Sequence, residues 1–182
     1  MIQSMTAPES NEQHLWVSWD DYHKNIEKLC LQVYESGWQF DQILCLARGG
    51  VRPGDIMSRV FNVPLAILST SSYRADSGTV QGELNIASHI TQTGAAFCGR
   101  VLLVDDLLDS GETVRQVLEH LKSHYADLTE IRVAVLWQKA CSIVSADYVV
   151  EYLQNNPWIH QPFEVYDTIR PDQLMKRLQT HK

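Results

Sequence analysis

The segment that most constrains the fold is an apolar run that ends in two carboxylates. Residues 101–104 are all apolar, which is typical of a strand buried on both faces in the centre of a parallel sheet. Asp105 and Asp106 follow directly. Because ligands of open α/β sheets bind outside the carboxyl ends of the strands, the segment predicts an α/β fold with polar chemistry at this point.

A short loop and a helix follow the acidic pair. Ser110, Gly111 and Thr113 supply hydroxyls, a flexible backbone and amide N–H groups ahead of a helix-period segment at 114–121, which is typical of an anion site. The acidic pair itself suits vicinal hydroxyls or a hard cation such as Mg²⁺. A sugar phosphate with a free diol fits both parts.

The apolar strand, acidic pair, spacer and Ser-Gly-x-Thr loop together resemble the phosphoribosyl-diphosphate-binding signature of the type I phosphoribosyltransferases. The resemblance implies that residues 109–113 hold the ribose 5-phosphate and that Asp109 is the catalytic base. It implies that Asp105 and Asp106 face the ribose hydroxyls and bind Mg²⁺. The residues expected to bind the ribosyl diphosphate are Arg48, Gly49, Gly50, Asp105, Asp106, Ser110, Gly111, Glu112 and Thr113.

Two other kinds of phosphate-binding site share parts of this motif. Response-regulator receivers also carry an acidic pair at a strand end, but there the pair follows the first strand, and here at least two strand-like runs precede it. A Walker-type site needs G-x-x-x-x-G-K-[ST], which this chain lacks. Both comparisons favour the sugar-diphosphate interpretation.

A second anion-binding loop is predicted earlier in the chain. The apolar run 43–46 leads into Arg48, Gly49 and Gly50, and a helix is predicted to end near Phe61. A strand, a Gly-Gly turn and a helix start describe an anion pocket with Arg48 as a charge beside it. The loop resembles the diphosphate loop of the family, which implies a non-proline cis peptide bond between Ala47 and Arg48.

The whole chain predicts one phosphoribosyltransferase domain at 15–182, preceded by a flexible tail at 1–14. The fold implied is α/β, with a central, mostly parallel sheet flanked by helices, a small hood at 151–170 and a mobile loop. Further strands are predicted at 63–68, 131–137 and 148–150, a first helix from about Ser18 to Gly37, a last helix at 171–178, and an aromatic and proline-rich loop at 157–164.

Residues 69–99 are rich in Ser, Thr, Gly and Gln and have little apolar periodicity. A stretch of this length inside a domain indicates either a functional lid or a surface hairpin. The dipeptide Ser72-Tyr73 resembles the mobile catalytic loop of the 6-oxopurine branch of the family. The resemblance implies that the loop closes over the reacting ribosyl group and excludes water.

The last third of the chain resembles bacterial xanthine–guanine phosphoribosyltransferases. The resemblance implies that Lys139 contacts the 6-oxo group of a purine, that Trp158 stacks on the ring and that the backbone at Ile159 reads its edge. His160 and Phe163 depart from the family pattern, where an acidic residue and a Trp are expected, so the preferred purine stays open. A Lys donor at the 6-position selects against adenine, whose amino group is also a donor.

The resemblance therefore implies a purine salvage enzyme that moves the 5-phosphoribosyl group from 5-phosphoribosyl 1-diphosphate to guanine, xanthine or hypoxanthine, with Mg²⁺ as cofactor. The alternatives are a regulator that binds the ribosyl diphosphate without chemistry, and a transferase for another base. Enzymes of this kind are dimers or tetramers, so a homodimer or homotetramer is expected.

Composition limits the partners and the compartment. The formal net charge of −7 argues against a nucleic-acid-binding surface. No apolar run approaches the roughly 18 residues of a membrane span. The four cysteines show no C-x-x-C spacing and are interpreted as reduced core cysteines of a cytoplasmic protein.

Overall fold

The computed structural model of the chain describes residues 14–74, 81–93 and 96–179. The described chain forms two compact units, one made of residues 23–156 and the other of residues 14–22 with 157–179.

The strands are β1 (His14–Trp16), β2 (Gln42–Ala47), β3 (Leu65–Arg74), β4 (Gln81–Ile86), β5 (Thr91–Gln92), β6 (Gly99–Leu108), β7 (Leu128–Lys139), β8 (Tyr148–Leu153) and β9 (Trp158–His160). The helices are α1 (Trp19–Glu35), α2 (Val51–Phe61), α3 (Glu112–His124), α4 (Val165–Thr168) and α5 (Pro171–Gln179).

The unit of residues 23–156 is built on one mixed sheet. Its strands lie in the order β4-β3-β2-β6-β7-β8, and β5 pairs with β3. The four pairs β2–β3, β2–β6, β6–β7 and β7–β8 are parallel, whereas β4 and β5 run antiparallel to β3. The predicted α/β fold with a mostly parallel central sheet is therefore confirmed.

Alternate side chains of β2 explain why helices cover both faces of this sheet. The side chains of Ile43 and Cys45 lie against Gly54 of α2. Leu44 and Leu46 belong instead to the core cluster that contains the buried α3 residues Val114, Val117 and Leu121. A strand buried on both sides needs no polar positions, which is why β2 is continuously apolar from Ile43 to Leu46.

The predicted lid or hairpin at 69–99 contains a hairpin. β3 continues from the predicted strand to Arg74 and pairs antiparallel with β4, with Ser71 opposite Asn85. Ser72 and Tyr73 lie within β3, but their side chains, together with residues 75–80 and 94–95, lie outside the described part of the structure. The catalytic-loop role of the two residues stays a prediction.

The second unit contains a parallel two-stranded sheet that the sequence does not predict. β1 pairs with β9 in the register His14↔Trp158, Leu15↔Ile159 and Trp16↔His160. His14 therefore belongs to a strand rather than to the predicted tail, whose residues 1–13 lie outside the described residues. The predicted loop at 157–164 is wrong at its start, because the pairing with β1 makes its first residues extended.

Among the described residues, no helix is both long enough and apolar enough to cross a membrane.

The close packing of α2 on β2 makes a testable prediction. A Cβ atom at Gly54 would lie 1.9 Å from the Sγ atom of the fully buried Cys45. Gly54→Ala is expected to lower the free energy of unfolding by about 1–3 kcal/mol, the usual cost of overpacking a core. In a Cys45→Ala background the sulfur is absent, so the same change should cost clearly less. Urea unfolding of the four variants measures both losses, and equal losses in the two backgrounds would contradict the packing.

Candidate functional site

The site lies where β6 separates from β2. The two strands pair from Gln42↔Val101 to Cys45↔Val104, whereas β6 stays paired with β7 as far as Leu108↔Gln138. β3 lies on one side of β2 and β6 on the other, so this is a point where the strand order reverses. Crevices at such points are the usual ligand sites of open α/β sheets.

The acidic pair lies on β6 itself rather than after it. The strand predicted to end at Val104 continues to Leu108 because β7 supplies a partner along its whole length. Asp105 and Asp106 are therefore held by the sheet on one side while the β2 side is open. This arrangement fixes the two carboxylates more firmly than a loop would.

The Gly-Gly turn packs directly against this pair. A Cβ atom at Gly49 would lie 2.3 Å from Oδ1 of Asp106, and one at Gly50 would lie 2.2 Å from the carbonyl oxygen of Val104. Only glycine allows so close an approach of two segments. The peptide bond between Ala47 and Arg48 is cis, as the resemblance implies.

Asp105 connects the two segments. Its Oδ1 accepts the N–H of Asp106 at 2.9 Å, and its carboxyl lies near the N–H of Gly50, which donates to the carbonyl of Leu46. Burial raises the pKa of the Asp105 carboxyl well above its usual range, and the charge of the neighbouring Asp106 adds to the shift. The Asp105 carboxyl therefore holds its proton to higher pH than a carboxyl in water does.

The predicted phosphate loop turns into α3 at Gly111. Gly111 has φ of +79°, and a Cβ atom there would lie 2.4 Å from Oγ of Ser142. The first helical bond of α3 runs from the N–H of Arg115 to the carbonyl of Gly111. Residues ahead of Arg115 thus present N–H groups that the helix itself does not use, which is the expected setting for a phosphate.

The side chain of Glu112 points along α3. Its carboxylate accepts hydrogen bonds from the side chains of Arg115 and Gln116. These bonds lower the pKa of Glu112 to about 2. In this arrangement Glu112 offers an incoming phosphate its backbone N–H, which already lies 3.4 Å from Oγ of Ser110.

The predicted catalytic base and the predicted base-contacting lysine form an ion pair. Nζ of Lys139, the last residue of β7, lies 3.0 Å from Oδ1 of Asp109. The Lys139 side chain is 9% exposed and that of Asp109 is 63% exposed. An isolated ammonium group would be costly at so buried a position, so Asp109 compensates the charge of Lys139.

The loop after β7 contacts the predicted phosphate loop and supports it. The sequence does not predict these contacts. The N–H of Ile143 donates to the carbonyl of Ser110 at 2.9 Å. Sγ of Cys141 lies 3.6 Å from the carbonyl oxygen of Asp109, and the N–H of Cys141 donates to Asn156. Cys141 is exposed, so the interpretation of all four cysteines as core residues is wrong for this one. No sequence pattern marks these contacts, because they join segments about 30 residues apart.

The carboxylates fit a magnesium ion that is held largely by its substrate. Among the described residues no three His, Cys, Asp or Glu side chains converge as a complete metal site. Mg²⁺ is usually bound by one or two carboxylates together with substrate phosphates and water. Asp106, against the Gly-Gly turn, is a suitable hard oxygen ligand for such an ion.

The other two predicted base-binding residues lie in the second unit. Trp158 is 55% exposed on β9 and Ile159 is buried beside it. Phe163, one of the two departures from the family pattern, packs edge-on against Tyr22 with ring centroids 5.7 Å apart. Its role in this unit is packing. Together the described residues place Arg48–Gly50, the acidic pair, residues 109–113 and Lys139 in one unit and Trp158 and Ile159 in the other.

Comparison with known proteins agrees with this geometry. Residues 18–168 match the family described as "Phosphoribosyl transferase domain". A xanthine-guanine phosphoribosyltransferase of Chromohalobacter salexigens is 36% identical over 114 residues, 62% of this chain and 65% of that protein, just under two thirds of its length. One from Idiomarina loihiensis is 26% identical over 86% of this chain and 90% of that protein. The structure of a Helicobacter pylori xanthine-guanine-hypoxanthine phosphoribosyltransferase has a TM-score of 0.69 and 25% identity, over 93% of this chain and 100% of that one.

The raised pKa of Asp105 predicts a pH dependence of stability. The folded chain holds this proton to higher pH than the unfolded chain, whose carboxyls titrate near pH 4. The Asp105 carboxyl therefore makes its full contribution to stability below about pH 4. This contribution is lost as the pH rises through the raised pKa of Asp105. Asp105→Asn removes this titration, so in EDTA its stability relative to wild type should increase from pH 4 to pH 8.

Glu112→Gln provides a control of opposite sign. The charged form of the Glu112 carboxylate is stabilised in the folded chain. Its contribution to folding stability is therefore present above its ordinary pKa and is lost as the pH falls towards about 2. Denaturant unfolding of the three proteins from pH 2 to pH 8 measures both effects. A stability difference between Asp105→Asn and wild type that stays constant from pH 4 to pH 8 would contradict the raised pKa of the Asp105 carboxyl.

Proposed function

Because the chain belongs to the phosphoribosyl transferase domain family, we propose that it transfers the 5-phosphoribosyl group from 5-phosphoribosyl 1-diphosphate to a 6-oxopurine. The products are the nucleoside monophosphate and diphosphate. Guanine, xanthine and hypoxanthine are the proposed acceptors, in keeping with the names of the relatives.

The observation that carries the proposal is the 3.0 Å pair between Nζ of Lys139 and Oδ1 of Asp109. It places a hydrogen-bond donor directly beside an acceptor. A 6-oxopurine with a proton on N7 presents the complementary arrangement, a carbonyl oxygen beside an N–H. The two side chains can therefore exchange their mutual ion pair for one hydrogen bond each to the base.

The same pair accounts for selection against adenine. The Lys139 side chain is 9% exposed, so its charge needs an acceptor when the pair with Asp109 opens. The 6-oxo group of guanine supplies one, whereas the amino group of adenine is a second donor. Unpaired buried donors of this kind discriminate strongly between substrates. Trp158 and Ile159 are proposed to stack on the base and to read its edge, on the resemblance alone.

The ribosyl diphosphate is proposed to bind along the crevice between β2 and β6. Backbone N–H groups of residues 110–113 receive the 5-phosphate at the start of α3, and Arg48 with Gly49 and Gly50 receives the diphosphate. Asp106 faces the ribose hydroxyls and holds Mg²⁺. When bound, Mg²⁺ neutralises charge on the diphosphate and so makes it a better leaving group.

Asp109 is proposed to act as the general base. As the bond between ribose C1 and the diphosphate oxygen breaks and the bond to the purine nitrogen forms, the proton on purine N7 passes to the Asp109 carboxylate. Lys139 holds the 6-oxo oxygen at the same time and so orients N7 towards Asp109. The carboxylates near C1 also stabilise the positive charge that develops on the ribose.

The setting of the reaction is also proposed. The four free cysteines fit a reducing compartment, so we place the protein in the cytoplasm. A homodimer or homotetramer is the proposed assembly, on the resemblance to the family.

The role of Asp109 predicts the outcome of one substitution. Asp109→Asn should lower kcat with guanine by about 10²–10⁴, because an amide cannot take the N7 proton. The KM for the ribosyl diphosphate should stay near the wild-type value, since Asp109 binds the other substrate. Steady-state assays with Mg²⁺ and each of guanine, xanthine, hypoxanthine and adenine measure these values.

Asp106→Ala serves as the comparison in the same assay. It should raise the Mg²⁺ concentration required for turnover and the KM for the ribosyl diphosphate. Its effect on the KM for the purine base should be smaller. Full activity of Asp109→Asn would contradict the general-base role. Binding of the ribosyl diphosphate without turnover on any of the four bases would favour a regulator or a transferase for another base.

A further inference from the structure

The strand proposed to read the purine is held by the N-terminal strand. The N–H of Val17 donates to the carbonyl of His160 at 3.0 Å, and β1 pairs with β9 in parallel. In a parallel ladder alternate residues turn their backbone groups to the same neighbour. Because His160 faces β1, the N–H and C=O of Ile159 point to the opposite edge of β9. One edge of β9 is thus held by β1 and the other is available to read a base.

The register also gathers four aromatic side chains on one face of the β1–β9 pair. Paired residues of adjacent strands share a face, and the face alternates along each strand. The pairs His14↔Trp158 and Trp16↔His160 therefore lie on one face. Ile159 lies on the other face and is 5% exposed, whereas Trp16 and Trp158 are 74% and 55% exposed. The tryptophan proposed to stack on the purine is thus a direct neighbour of His14.

The ring of His160 contacts two side chains of this face, and the carboxylate of Glu164 lies near it. The ring of Trp16 stacks on it, with centroids 3.7 Å apart and planes 8° apart. Nδ1 of His14 lies 2.8 Å from Nε2 of His160, and Oε2 of Glu164 lies 3.9 Å from its Nδ1. Glu164 faces the opposite ring nitrogen from His14, so the three groups do not converge on a metal position. The arrangement serves to fix the ring.

We propose that His14 and Trp16 are positioning residues for purine recognition. They clamp the His160 ring and thereby hold Trp158 and the backbone of Ile159 in the conformation that binds the base. A strand pair three residues long is marginal by itself, so its cross-strand side-chain contacts decide how well it is ordered. His160 stands where the family pattern has an acidic residue, so the clamp does not follow from the resemblance to the family. The inference rests on the proposed function.

The contact between the two histidines is a single hydrogen bond. Nδ1 of His14 and Nε2 of His160 share one hydrogen, so one ring donates it and the other accepts it. A residue that replaces His14 keeps this bond only if it offers a polar atom at the position of Nδ1.

The test compares His14→Ala, His14→Asn and Trp16→Ala with wild type at pH 8. His14→Ala and Trp16→Ala should each raise the KM for guanine roughly two- to ten-fold, the range of an aromatic contact. The KM for the ribosyl diphosphate should not change, because that substrate binds elsewhere. In His14→Asn the amide takes the place of Nδ1 and restores the hydrogen bond to His160. The KM for guanine should therefore return towards the wild-type value in this variant.

His124→Ala is the matched control. His124 also stacks on a histidine, His120, with centroids 4.2 Å apart, and its Nδ1 contacts the His120 carbonyl oxygen. It lies at the end of α3, so its loss should leave both KM values unchanged. Thermal unfolding of each variant shows whether the protein is folded at the assay temperature.

The outcomes separate this inference from the proposed function. Transfer to guanine with an unchanged KM in both alanine variants would overturn the clamp and leave the proposed function intact. A KM for guanine in His14→Asn as high as in His14→Ala, or equal changes in the KM for both substrates, would also overturn it. A wild-type protein that transfers to no purine would overturn the proposed function, and the clamp with it.

Discussion

The structure depends on the separation of β6 from β2 at Val104. The two strands pair up to this residue, and β7 alone carries β6 onward to Leu108. The separation leaves one side of Asp105 and Asp106 without a paired strand, and the Gly-Gly turn after β2 fills the space closely enough that no side chain fits at Gly50, against the backbone of Val104. β7 holds the two carboxylates in place on the other side of β6.

The charges around this opening balance one another. Burial raises the pKa of the Asp105 carboxyl, and the charge of the neighbouring Asp106 adds to the shift. Further along, Asp109 compensates the buried ammonium group of Lys139 at 3.0 Å. Since a buried charge without a partner is costly, the site is arranged to exchange internal partners for substrate groups. A substrate must supply groups that replace these partners, which is the physical origin of the specificity proposed for the base.

The sequence predicts the parts of the site that are local and misses those that depend on distant pairing. The acidic pair and the Gly-Gly turn follow from short motifs, and the parallel sheet follows from apolar runs. The cis bond before Arg48 is implied by the resemblance to the family. The true end of β6 depends on β7, and β1 is a strand only because β9 lies beside it. The contact of Cys141 with Asp109 and the His14–His160 hydrogen bond join residues 32 and 146 positions apart, so neither has a local signal.

A crystal structure with guanosine monophosphate bound tests the central claim most directly, because this product carries both the phosphate and the base. The account predicts the phosphate against the N–H groups of residues 110–113 and Nζ of Lys139 moved from Asp109 to the 6-oxo oxygen of guanine. It also predicts the Asp109 carboxylate within hydrogen-bond distance of N7. A phosphate bound elsewhere, or a Lys139–Asp109 pair that stays at 3.0 Å while the base contacts neither residue, would contradict it.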